Sequence, residues 1–282
     1  MAEQNTYSYQ YPHPAVTTDC VIFGFDGKEL RVLLIERGQD PCQGKLAFPG
    51  GFLNMDETLE ECARRELQEE TSLVAEKLEQ FHAFSAVDRD PRERVISVAF
   101  FGLVKMAAVH GGDDAQSAQW VRIDEVPQLA FDHDYIFREA MRYLRKKIFF
   151  EPIGFDLLDE TFTFPQLQRL YEAILGVQFD RRNFKRKMLQ LGLIENAEEK
   201  RTINPMIEDL DSHSSKMVMK DIDCLFQPAS NPCPPLTRSA NFAQQQKNEF
   251  SHEVGRKPQW FKFNKKRYEE LKENPGSFRL EF

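Results

Sequence analysis

The chain has 282 residues, 41% hydrophobic and 29% charged, enough for one large core or two of ordinary size. Its mean hydropathy is −0.53, no apolar run nears the ~18 residues of a membrane helix, and the N-terminus lacks the basic start and apolar stretch of a secretory leader, so a protein of the cytoplasm with no membrane partner is expected. A formal net charge of −8 argues against coating nucleic acid with the whole surface but allows a local basic patch, and five scattered cysteines without a CxxC pair suggest neither a disulfide framework nor a zinc site.

In chain order, residues 16–25 (VTTDCVIFGF) are β-branched and aromatic-rich, 26–29 (DGKE) supply turn residues, and 30–37 (LRVLLIER) read as a second strand. A hairpin follows from that order. Residues 38–44 form a polar loop, and 46–49 a short strand closed by Gly50-Gly51. Residues 58–71 are strong helix formers without Gly or Pro. The nearly apolar run 94–104 (RVISVAFFGLV) predicts a buried central strand, 120–123 another short one. Residues 135–148 predict a helix with Ile136, Ala140, Tyr143, Leu144 and Ile148 on its apolar side. The first domain is therefore mixed α/β and is placed at 1–148.

A second domain is expected over 149–282. Residues 155–158 suggest a short strand. Thr163, Pro165 and Gln166 carry a capping-box signature for a helix that stops at Gly176. Asp180 can cap a second helix, 181–191, ending at Gly192. Residues 193–194 and 260–263 predict the two strands of a ribbon, and Tyr268 and Leu271 lie on a last short helix. Helix, short turn, helix and ribbon is the order of a winged helix-turn-helix. Between the strands, about 196–253 is rich in Asn, Ser, Gln and Pro, without sustained periodicity; it is expected to be a largely disordered insertion in the wing, with a short element at 217–226.

The chemistry of the first domain sits on the helix over 58–71. At about 100° per residue, Glu69 and Glu70 fall within about 60° of Glu66. Leu59, Cys62 and Ala63 share that sector, whereas Glu60, Arg64, Gln68 and Thr71 occupy the opposite polar side. A solvated acidic helix would explain an ordinary charge run, but here the solvent face is already accounted for. Three carboxylates turned inward are costly unless a cation neutralises them. Oxygen-only ligands indicate Mg²⁺ or Mn²⁺, ions that clamp phosphate oxygens and activate water.

The stretch resembles the Nudix hydrolase family, whose box is GX5EX7REUXEEXGU with U aliphatic. Gly51, Glu57, Arg65, Glu66, Leu67, Glu69, Glu70 and Leu73 match in register, and Ser72 stands where the family has Gly. The resemblance implies an α/β/α sandwich in which Glu66, Glu69 and Glu70 bind metal, Glu57 pairs with Arg65, and Gly51 lets the backbone approach the metal site. Ser72 is expected at the helix end, in a left-handed conformation costing about 1 kcal/mol relative to Gly. Residues 88–98 (DRDPRERVISV) and 129–134 (LAFDHD) resemble the ADP-ribose pyrophosphatase branch. Arg89, Arg92 and Arg94 could bind phosphate by bidentate hydrogen bonds, or could pair with the neighbouring Asp residues instead. His133 reads as a helix-start or packing residue. The general base stays open among Glu93, Asp113, Asp114 and Glu125.

In the second domain, residues 181–187 (RRNFKRK) hold five basic residues in seven. Phe184, Met188 and Leu191 form an apolar stripe, with Arg182, Lys185 and Arg186 pointing away from it. One packed and one basic face is what a recognition helix requires, although an amphipathic surface helix that binds nothing looks the same in isolation. The winged-helix order and the basic residues of 255–263, Arg256 and Lys257 among them, favour DNA. Residues 149–195 and 255–282 resemble the DNA-binding domain of the Nudix-related transcriptional regulators, the NrtR family. That resemblance implies a homodimer that binds operator DNA through Arg181, Arg182, Lys185, Arg186, Arg256 and Lys257 and senses ADP-ribose or a related nucleoside diphosphate sugar. Hydrolase activity is expected to survive in it. The competing reading is a plain Nudix hydrolase, converting ADP-ribose to AMP and ribose 5-phosphate, that binds no DNA.

Overall fold

The computed structural model describes residues 9–112, 115–151, 153–154, 157–197 and 258–273. Thus 198–253 of the expected wing insertion, with its short element at 217–226, lies outside the described residues, as do Asp113, Asp114, Arg256 and Lys257.

The elements are β1 (Ala15–Phe25), β2 (Leu30–Arg37), β3 (Leu46–Ala47), β4 (Gly50–Phe52), α1 (Leu59–Thr71), β5 (Glu79–Phe84), β6 (Val95–Leu103), β7 (Ala115–Arg122), α2 (His133–Phe150), β8 (Phe162–Thr163), α3 (Phe164–Leu175), α4 (Arg181–Leu191), β9 (Ile194–Asn196), β10 (Trp260–Phe263) and α5 (Lys265–Glu273). The chain divides into two compact units, residues 1–24 with 31–140, and residues 25–30 with 141–282. The division falls within α2, eight residues before the boundary expected at 148.

In the first unit a seven-stranded mixed sheet runs β3-β2-β1-β6-β5, with β4 paired to β1 and β7 to β2. The DGKE turn between β1 and β2 closes because Asp26 Oδ1 accepts from the backbone N–H of Lys28 and Glu29 at 2.9 and 2.8 Å. Side chains alternate between the two faces of a strand. On β1, Cys20 and Ile22 pack with Ala63 and Leu67 of α1, whereas Phe23 meets Phe137 of α2, ring centroids 6.5 Å apart. β1 is therefore apolar on both sides, which explains its continuous rather than alternating hydrophobicity. This is the α/β/α sandwich that the resemblance implies.

Three local expectations change. Gly50-Gly51 does not close a strand but forms β4, with Asp19, Thr18 and Thr17 of β1 opposite Gly50, Gly51 and Phe52. β5 was not expected: it pairs antiparallel with β6, and most of its residues are exposed. Leu157 and Leu158 lie in a turn hydrogen-bonded to Gly154 O rather than in a strand.

The second unit has the three-stranded sheet β8-β10-β9 and the helices α3, α4 and α5. Thr163 N donates to Gln166 Oε1 at 2.8 Å, and Asp180 Oδ1 accepts from Asn183 N at 2.9 Å. Gly176 and Gly192 end the two helices in the left-handed region, φ 71° and 68°. Phe184 is the packing centre, its ring against Phe164, Tyr171 and Phe179 at 5.8, 5.6 and 5.3 Å. Burying each such ring contributes about 1.5–3 kcal/mol.

Candidate functional site

α1 is fixed at both ends. Glu61 N donates to Thr58 Oγ1 at 3.2 Å and Thr58 N to Glu61 Oε2 at 2.8 Å, a reciprocal N-terminal cap. Ser72 terminates the helix at φ 60°, its N–H on Gln68 O, so the serine that replaces the family glycine occupies the left-handed position expected.

The buried arc of α1 is Cys62, Ala63, Leu67, Glu70 and Thr71. It is rotated toward Leu67 from the sector drawn around Glu66. Glu70 is consequently buried, Glu66 half-buried, and Glu69 exposed at the margin, so only two of the three carboxylates turn inward. Gly50 N donates to Glu70 Oε2 at 2.8 Å. A Cβ at Gly51 would run into the Glu66 carboxylate, so any larger residue there would push that carboxylate aside. Burial pushes the Glu70 carboxyl up to about 8 and also raises Glu66, with the charges of Glu69 and Glu57 adding to the latter.

Arg65 binds Glu57 through Nε (2.9 Å) and Nη2 (2.6 Å), and its Nη1 reaches Glu66 at 2.7 Å and Glu69 at 3.0 Å. The hydrogen bonds from Arg65 hold Glu57 down to about 2. Glu57 also accepts from Asn54 N at 2.8 Å, so the expected pair ties loop to helix. Among the described residues no three His, Cys, Asp or Glu side chains are gathered as a metal cluster. The Arg65 guanidinium instead shares out its charge among Glu57, Glu66 and Glu69. The donor set nevertheless fits a hard divalent cation: it offers oxygen only, and burial already disfavours negative charge on Glu66 and Glu70.

The arginines of 88–98 are spent within the fold. Arg89 is 4% exposed at its side chain and forms a bidentate pair with Asp132, at 2.7 and 3.1 Å, with Asp19 at 3.7 Å. Withdrawing it would strand two carboxylates, at about 3–5 kcal/mol for a broken buried pair, so Arg89 is a structural rather than a ligand-binding residue. Arg94 Nη1 and Nη2 donate to the carbonyls of Ala86 and Ser85, both at 3.0 Å, and brace the loop. Arg92 is bidentate with Asp90, but it is exposed and stacks over Phe52 and Phe131 at 5.0 and 5.6 Å. Arg92 is thus committed to Asp90, although its side chain stays at the surface.

His133 is the first residue of α2 and is buried. Its Nδ1 accepts from Phe48 N at 3.0 Å, and its Nε2 lies 3.6 Å from Asp19 Oδ1. Burial lowers its pKa, and the packing role expected for it holds. Glu93 is exposed, and Glu125 lies 3.3 Å from Arg122. Asp19 is a lone acid in an apolar strand, with no motif in the sequence to single it out. It accepts a hydrogen bond from Ser97 and faces both Arg89 and His133.

On α4 the stripe of Phe184 and Met188 is buried, and Arg181, Arg182 and Arg186 are exposed. Lys185 departs from expectation: it is half-buried, its Nζ 5.5 and 5.6 Å from the Phe164 and Phe261 rings. A cation on aromatic faces is held by their quadrupoles, so this lysine leans toward the packed side. The ribbon adds Lys262, which pairs with Glu195 at 3.3 Å.

Fold and site together define a Nudix domain joined in one chain to a winged-helix DNA-binding module. The NUDIX domain family matches residues 13–140, and the NrtR DNA-binding winged helix domain family matches residues 154–205. The chain is 32% identical over 194 residues to the ADPR responsive transcriptional repressor NtrR of Acinetobacter baylyi, covering 67% of this chain and 78% of that protein. It is 41% identical over 133 residues to the ADP-ribose pyrophosphatase of Methanocaldococcus jannaschii, covering 47% and 76%. The crystal structure of Shewanella oneidensis NrtR complexed with a 27mer DNA superposes with a TM-score of 0.56 at 30% identity, over 67% of this chain and 88% of that one. The chain belongs to the NrtR family of Nudix-domain transcriptional regulators.

Proposed function

We propose that the chain is a homodimeric repressor of the cytoplasm that binds operator DNA through α4 and the wing, and that its Nudix domain binds ADP-ribose or a related nucleoside diphosphate sugar with Mg²⁺ or Mn²⁺ and retains hydrolysis. One observation carries this reading: every charged residue of the Nudix box is present, with Glu57, Glu66 and Glu69 gathered on Arg65 and Glu70 held by Gly50 N, in a chain whose α4 exposes Arg181, Arg182 and Arg186. The ADPR-responsive repressor and the ADP-ribose pyrophosphatase among its relatives support the ligand.

Glu66, Glu69 and Glu70 would hold the cation, which when bound supplies positive charge to the diphosphate oxygens and makes a water more acidic. The protein contributes position. Glu57 fixes Arg65 from one side, leaving its Nη1 facing Glu66 and Glu69. Gly50 N orients the Glu70 carboxylate, and Gly51 lets the β4 backbone lie against Glu66. Glu93 and Glu125 remain candidates for the base.

AMP formation from ADP-ribose in Mg²⁺, followed for the wild type and for Glu70→Gln, tests the enzymatic half. Turnover should fall by orders of magnitude in the variant, with the melting temperature retained. Equal turnover would refute the site; ADP-ribose binding without turnover in the wild type would leave a sensor without catalysis.

A further inference from the structure

Nothing in the Nudix box or the 88–98 loop supplies an uncommitted cation to a bound diphosphate. Arg65 is shared among three carboxylates, Arg89 is buried with two, Arg92 is paired with Asp90, and Arg94 is bound to carbonyls. Arg37, at the end of β2, is different.

We propose that Arg37 is a ligand-binding residue of the Nudix domain, and that its two terminal nitrogens grip anionic oxygens of a diphosphate. The proposal rests on the reading that this domain takes a nucleoside diphosphate. Its backbone is fixed: Arg37 N donates to Lys45 O at 3.0 Å, and Gly44 N to Arg37 O at 2.8 Å. Its guanidinium is fixed too. Nε donates to Pro41 O at 3.0 Å, and Cζ lies over the Phe131 ring, 4.8 Å from its centroid. Phe131, held at φ 50°, follows Ala130, whose N–H is on Leu46 O at 2.8 Å, so the ring is anchored to β3. The Nε edge of the guanidinium is thus occupied, and its carbon rests on an aromatic ring. Nη1 and Nη2 have no hydrogen-bond acceptor or ion pair among the described residues.

The group is also coupled to the carboxylate site. Phe131 is 5.8 Å from the His133 ring, which stacks on Phe48 at 5.4 Å, and Phe48 leads through Pro49 to Gly50, the donor to Glu70. The positive charge of Arg37 reaches Glu70, where it opposes the upward push of burial. A planar fork with its terminal donors free matches two phosphate oxygens. Because the side chain is already ordered, little rotamer freedom is lost on binding. A fixed cation here also offsets the repulsion that Glu66, Glu69 and Glu70 exert on an incoming diphosphate.

Calorimetric titration of the full-length chain in Mg²⁺ with inorganic pyrophosphate, a methylene-bridged ADP-ribose analogue that resists hydrolysis, and adenosine separates the outcomes. Arg37→Gln should weaken pyrophosphate and the analogue about 10- to 100-fold and leave any adenosine binding unchanged, while Arg37→Lys, which keeps the charge but not the fork, should recover part of the loss. If the effect came only from loosening the 38–45 loop, Arg37→Lys would be as weak as Arg37→Gln, and the proposal would fall. Equal affinity of wild type and Arg37→Gln for both phosphate probes overturns it while leaving ADP-ribose as the ligand. Arg37-dependent binding of pyrophosphate without binding of the analogue upholds Arg37 and overturns the ADP-ribose reading. No binding of either by the wild type overturns both.

Discussion

Glu70 and His133 are buried titratable side chains on the two helices that flank the sheet, and burial moves them in opposite directions. A carboxyl out of water is easier to protonate, an imidazole harder. For His133 the consequence for stability has a definite sign. The folded protein holds the ring neutral below its ordinary value of 6.5, whereas the unfolded chain takes up a proton near that value. The contribution of His133 is therefore fully present above pH 6.5 and is lost as pH falls through the depressed folded value. In denaturant titrations between pH 7.5 and 5, the wild type should lose stability on the acid side. His133→Gln, which can still accept from Phe48 N, should show a shallower dependence there. A parallel pH dependence in the two proteins would mean that His133 does not titrate differently on folding. The same scale separates what could be read ahead from what could not. Glu57, Arg65, Glu66, Glu69 and Glu70 lie within one loop and one helix, so their spacing alone brought them together. Arg89 meets Asp132 across 43 residues, and only the folded sheet shows that its charge is consumed internally.

Among the elements, α1 was the most legible, because its cap, its period and its end are all local. Ser72 at φ 60° carries the strain expected of a side chain in the left-handed region. Ser72→Gly should raise stability by about 1 kcal/mol in urea unfolding, partly offset by the greater freedom of glycine in the unfolded chain. A loss of stability would show that the Ser72 side chain makes a compensating interaction. The edge strand β5 was not legible for a physical reason. Its sequence, EQFHAF, has most positions facing solvent, and its strand state is imposed by pairing with β6. β4 was hidden by its glycines, which have low strand preference; a Cβ at Gly50 would run into the backbone of Thr18 and Asp19, and one at Gly51 into the Glu66 carboxylate. In α4 the buried stripe was legible, but the tilt of Lys185 onto Phe164 and Phe261 was not, since Phe261 arrives from a strand far along the chain.

For a chain that carries both a Nudix domain and a DNA-binding winged helix, thermodynamics requires reciprocity. If ADP-ribose alters DNA affinity by some factor, DNA alters ADP-ribose affinity by the same factor. A dimer whose two winged helices match the operator spacing in only one state would supply the coupling, because a ligand preferring the other state releases the DNA. Arg182 is exposed near the start of α4, so Arg182→Ala should cost about 1–3 kcal/mol in operator affinity and relax sequence preference, if the helix enters the major groove. The most direct measurement is fluorescence anisotropy of the full-length protein on a promoter library at fixed salt, with and without ADP-ribose, for the wild type and Arg182→Ala. Sequence-specific binding that ADP-ribose shifts and that the substitution weakens is the expected result. Binding no tighter than to random DNA, unchanged by either, would contradict it and leave only a hydrolase.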